Sequence, residues 1–143
     1  MTKISKRMYF LKPIEKRSDL FWRKKMAKRI IIATILGLIA GILCYMGSKS
    51  SARVEYDLAM TMETIFNRMV IGFLIGVSGW KMKWALHGII MGFIGGAPLW
   101  LASIQGGITA LIIMLVASIV WGFLIELIVT KVFKAPQLAS LQY

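Results

Sequence analysis

Residues 84–125 read WALHGIIMGFIGGAPLWLASIQGGITALIIMLVASIVWGFLI, without one Asp, Glu, Lys or Arg and with a single histidine, His87. A helix needs about 20 predominantly apolar residues to cross about 30 Å of hydrocarbon. The run is too long for one such span and suits two. Ser103-Ile104-Gln105-Gly106-Gly107 supplies the turn between them. Working backwards, Ile30 to Ser48 is also free of charge and predicts a first span. A second is harder to place, because only Met69–Trp80 separates Arg68 from Lys81. To cross, it must reach back to about Thr61 and carry Arg68 within the membrane.

Composition agrees. The chain has 143 residues, 58% of them hydrophobic, and a mean hydropathy of +0.73. A soluble domain of this size cannot cover that much apolar surface. The expected fold is an all-α integral membrane protein, a bundle of four transmembrane helices at about 30–48, 61–80, 84–102 and 108–130. A basic segment, residues 1–29, precedes this membrane domain of residues 30–134, and a short tail, 135–143, follows it. The lone Cys44 falls in the first span, so no internal disulfide is available.

Net charge is +12, and its placement sets an orientation. Eleven of the basic residues, from Lys3 to Arg29, precede the first span. Lys81 and Lys83 lie between spans two and three, and Lys131 and Lys134 follow span four. The other loops hold Lys49 and Arg53 balanced by Glu55 and Asp57, or nothing charged. Both termini are expected to be cytoplasmic, in a prokaryotic cytoplasmic membrane. Phe21 and Trp22 beside Arg23-Lys24-Lys25 fit an interfacial helix, with Ser18 as its N-cap and Pro13 ending order upstream. The expected partners of the basic segment are the bilayer and anionic lipid headgroups, not nucleic acid.

Small residues recur at helical spacing. Gly-[Phe/Leu]-x-x-Gly appears at Gly37–Gly41, Gly72–Gly76 and Gly92–Gly96, and a last copy, Gly122-Phe123-Leu124-Ile125, ends in Glu126. Gly88 extends the third copy by one turn. Glycines four apart let apolar helices approach closely, so Gly37, Gly41, Gly72, Gly76, Gly88, Gly92, Gly96 and Gly122 are expected at helix contacts. Pro98 cannot donate to Ile94 and marks a kink next to Gly95 and Gly96. Spans two and three align as an inverted repeat, whereas span one with three and span two with four align as a parallel one.

Polar residues within spans are costly and draw attention. Arg68 shares a face with Gly72 and Gly76 and is expected in the outer half, near Asn67 and Glu63. Its partner would be Glu63 or a carbonyl with the head snorkelling outward, or else an anion, a lipid headgroup or an acid of another subunit. His87 and Glu126 fall at similar depth on adjacent spans and could face each other. Ser118 lies on one stripe with Gly122 and Glu126.

No Ser/His/Asp set, phosphate loop, CxxC pair or metal-ligand cluster appears, so neither an enzyme nor a cofactor or metal site is expected. Two functions fit. One is a structural, accessory or assembly subunit that binds other transmembrane helices. The other is a small oligomeric transporter or channel that uses Arg68, His87 and Glu126.

Overall fold

Asp57 opens the second helix, its side chain accepting a hydrogen bond from the Leu58 backbone N–H at 2.7 Å. In a computed structural model of the chain, the helices in order are α1 (Lys3–Ser50), α2 (Leu58–Val77), α3 (Trp84–Gly95), α4 (Ala97–Ala102) and α5 (Ile108–Leu127). A 3-10 turn (Ser103–Gly106) precedes α5, and a π turn (Ile128–Val132) ends it. The structure describes residues 3–50, 57–80 and 82–135, with side chains for 23–47, 57–80 and 82–135. The expected contacts of the lysines and arginines upstream of residue 23, and the tail from 136 on, lie outside the described side chains.

Among the described residues the fold is all helical. Three helices are long and apolar enough to cross a membrane, and a fourth is added if α3 and the bent segment after it count as one. The second of them, α2, begins at Leu58, earlier than the expected Thr61, because Asp57 caps it there. Its 20 residues place Arg68 near mid-length of the helix. Helix α1 runs unbroken from Lys3, so neither Pro13 nor Ser18 ends or starts a helix.

The break after α3 falls where glycine and proline predicted it. The segments Trp84–Gly95 and Ala97–Gly106 meet at 46°. Pro98 sits in the first turn of α4, where its missing N–H leaves no bond unmade. Gly107, at φ 92°, turns the chain into α5 in a conformation that favours glycine.

Glycines set the packing. In the antiparallel pair α1/α2, a Cβ on Gly72 would sit on the Ala33 carbonyl oxygen, and one on Gly37 on that of Arg68. In the pair α3/α5, a Cβ on Gly122 would meet the Gly88 carbonyl, and one on Gly92 that of Ser118. Gly41 likewise abuts Ile65, Gly76 abuts Ile30, and Gly96 abuts the Ser118 side chain. All eight glycines expected at contacts therefore lie against backbone or side chain of the same chain. The two hairpins use matching positions: Gly37 corresponds to Gly92, Gly41 to Gly96, and Gly72 to Gly122. This is the parallel correspondence, and Gly72–Ile75 repeats as Gly122–Ile125.

Burial is inverted relative to a water-soluble protein. Arg29, Arg68, His87, Asn67, Ser118 and Glu126 are buried, while Ile31, Ile35, Phe66, Phe73, Ile112 and Ile113 are exposed. The apolar core, including Ala33, Ile71, Ile75, Met91, Ile125 and Val129, fills the seam between the hairpins.

Candidate functional site

Helix α5 carries one residue per turn along this seam: Ala110, Met114, Ser118, Gly122 and Glu126. Helix α2 faces it with Met60, Thr64 and Arg68. Three layers result, and the buried polar residues other than Thr64 fall into two of them.

The first layer is an ionic cluster at the lower end of α5. Glu126 is fully buried, and both its oxygens accept from Arg29 Nη2 at 2.8 Å. His87 Nδ1 lies 3.2 Å from Oε2, and Thr130 Oγ donates to Oε1 at 2.8 Å. Arg29 Nη1 donates to the Ala135 carbonyl. The π turn widens the last coil of α5, and Lys134 at φ 48° folds the chain back, which brings that carbonyl over Arg29. Lys131 Nζ stands over the Trp84 ring beside the cluster, 5.5 Å from its centroid. The facing of His87 and Glu126 expected from sequence is present. Arg29 was missed, because it reads as the last charge of the basic segment. Its signal was there: Arg29, Ala33, Gly37 and Gly41 form one stripe of the buried face of α1.

The second layer, two turns along α5 and so about 12 Å away, is built on Arg68. Its guanidinium is fully buried, which excludes a head that snorkels out of the protein. Nη1 donates to Ser118 Oγ at 2.9 Å, and Ser118 in turn donates to the Met114 carbonyl at 2.8 Å. Cys44 of α1 lies beside the guanidinium. Nε and Nη2 make no hydrogen bond among the described residues, and no carboxylate pairs with the charge. Glu63, the acid expected beside it, is exposed. Asn67 donates its amide to the Gly95 carbonyl at 3.1 Å, which ties α2 to the break after α3 and leaves its oxygen unpaired.

The third layer is a cavity of about 400 Å³ above Arg68. Met60, Glu63 and Thr64 of α2, Leu99 and Ala102 of α4, Ser103, Gln105 and Gly106 of the 3-10 turn, and Ala110 and Met114 of α5 line it. Thr64 and Met114 stand one turn from Arg68 and Ser118, so the cavity floor lies about 6 Å from the pair. Helical side chains lean toward their helix N-terminus, and for Arg68 that is the cavity end. Between Ser118 and Glu126 the seam is filled by the apolar side chains of Ile71, Ile75, Met91 and Ile125.

Among the described residues no group of three or more His, Cys, Asp or Glu is placed to hold a metal. Compared with family models, curated proteins and solved structures, the chain has no match.

Proposed function

We propose that the chain is a four-span integral membrane protein with both termini cytoplasmic, and that it carries a small solute along the seam between its two hairpins. The inverted burial supports membrane insertion, since lipid is the solvent that tolerates the exposed Ile, Leu and Phe side chains. The distribution of Lys and Arg supports the orientation. On this reading the cavity faces outward and the Arg29–Glu126–His87 cluster closes the cytoplasmic end.

One observation carries the proposal: a buried arginine, with no carboxylate partner among the described residues, beneath an open cavity. Such a charge is expensive in a membrane and marks ion and substrate pathways when it faces a bundle interior. The accessory-subunit reading rests on glycine faces that recruit other helices. Here those faces are filled by the chain's own backbone, and Arg68 is out of reach of a helix docking from lipid.

The test is flux in proteoliposomes across a panel of small ions and neutral solutes, run beside assembly in detergent. The wild type should carry at least one solute, and Arg68→Gln should abolish that flux while the protein stays folded. If no solute tested crosses, and substitutions at Arg68, His87 and Glu126 only destabilise the protein, the transport reading fails and the accessory reading takes its place.

A further inference from the structure

We propose that Arg68 is the binding site of a small monocarboxylate that enters through the cavity lined by Met60, Thr64, Leu99, Ala110 and Met114. The assignment rests on the transport reading and names the substrate class of the same site, but it is measured by binding and not by flux.

The argument begins with which nitrogens are free. Nη1 gives one of its two N–H groups to Ser118. Nε and Nη2 make no hydrogen bond to nitrogen or oxygen among the described residues, and the Cys44 thiol is the other group beside the guanidinium. Those two nitrogens share one edge of the guanidinium plane, and their N–H bonds run parallel. This is the fork that accepts the two oxygens of a carboxylate in a planar, bidentate pair. A spherical anion such as chloride meets only part of that geometry.

Charge sets the valence. Among the described residues the site holds one positive charge with no carboxylate against it. A monoanion neutralises it, whereas a dianion would leave a buried negative charge. Glu63 on the cavity wall works against multivalent anions at the entrance. The Thr64 hydroxyl is committed to the Met60 carbonyl at 2.9 Å, so it adds no free donor for a phosphate or sulfate.

The walls set the rest of the ligand. Met60, Leu99, Ala102, Ala110 and Met114 make most of the lining apolar. An oxoanion with a short hydrocarbon tail fits such a wall, the head on the fork and the tail among the methionines. The volume of about 400 Å³ accommodates a short-chain acid such as butyrate.

The experiment uses the full chain in detergent with arginine side chains labelled with nitrogen-15. The Arg68 Nε–H signal is assigned by its absence in Arg68→Lys. Butyrate should shift this signal saturably, and chloride and sulfate at equal ionic strength should not. Arg68→Lys keeps the charge and removes the fork, and should weaken butyrate binding, read in this variant by equilibrium dialysis against radiolabelled butyrate, by about tenfold or more. Ala110→Trp fills the cavity with Arg68 left in place, and should abolish the shift while helicity is retained. No shift with butyrate, a shift reproduced by chloride, or butyrate binding unchanged in both variants overturns the proposal. A response to laurate but not to butyrate also overturns it, since the ligand would then come from the membrane. Binding without flux leaves the carboxylate site standing and removes the transport reading. Flux of other solutes without binding does the reverse.

Discussion

Replacing both members of the Arg29–Glu126 pair by methionine should be far less harmful than replacing either one. The pair is buried to within 1% of completely, with Arg29 Nη2 2.8 Å from Glu126 Oε1. At that separation and an effective dielectric near 20, the gross attraction is about 6 kcal/mol. Desolvation of two ions offsets most of it, so the net worth of the pair is small. Removing one partner is different. Glu126→Met leaves Arg29 with the Ala135 carbonyl alone, and its Nε is already without a partner. Arg29→Met leaves Glu126 with only His87 and Thr130. Each single substitution should cost about 3–5 kcal/mol, the usual penalty for an orphaned buried charge. The double substitution should cost less than either single one, because the long thioether side chains fill the vacated volume. The coupling energy is then at least about 3 kcal/mol, a factor above one hundred in the unfolding equilibrium. The assay is a double-mutant cycle by unfolding in mixed micelles with increasing dodecyl sulfate, followed by far-ultraviolet circular dichroism. Single substitutions costing under about 1 kcal/mol, or a double cost equal to the sum of the single ones, would refute the clamp.

Two further outcomes follow from the packing. Gly122→Ala places a Cβ 2.5 Å from the Gly88 carbonyl and the Gly92 Cα, so the hairpin must open, at a cost of about 1–3 kcal/mol. Gly47→Ala, where a Cβ meets nothing within 4 Å, should be neutral or stabilise by up to about 1 kcal/mol, and the same micelle titration checks both. In a Cys44→Ser background, Ala102→Cys on the cavity wall should react with a membrane-impermeant maleimide added outside cells. Ile75→Cys, at a fully buried position in the apolar seam, should stay unlabelled until the protein is denatured. Labelling of Ala102→Cys only after the cytoplasmic side is opened would reverse the proposed orientation.

The helices themselves were legible in the chain, because long uncharged runs and helix-breaking residues act locally. The 84–125 run, the break at Gly95, Gly96 and Pro98, and the turn at Gly106–Gly107 are consequences of composition over a few adjacent residues. The glycine stripes likewise announced close contacts, and their spacing fixed which face of each helix would make them. So did the shared depth of His87 and Glu126. Pro13 misled, since its cost to a helix interior is real but is one term among many in a helix of 48 residues.

Which helix each stripe would meet was not in the sequence. A glycine face is complementary to any backbone of the right register, including that of another chain, and only the fold assigned Gly37 and Gly72 to each other's helix and Gly92 and Gly122 to theirs. The same holds for charge. Arg29 and Glu126 are 97 residues apart, and no local pattern says that one will neutralise the other. Arg68 could be read as a cation in an apolar helix, but its lack of a carboxylate partner depends on every neighbour that the packing brings near. Sequence determined where apolar segments, bends and polar residues lie along the chain, since those follow from short-range chemistry. Tertiary structure decided which buried charge is compensated and which is left open beneath a cavity, since pairing in a low dielectric depends on distances of a few ångströms between residues far apart in the chain.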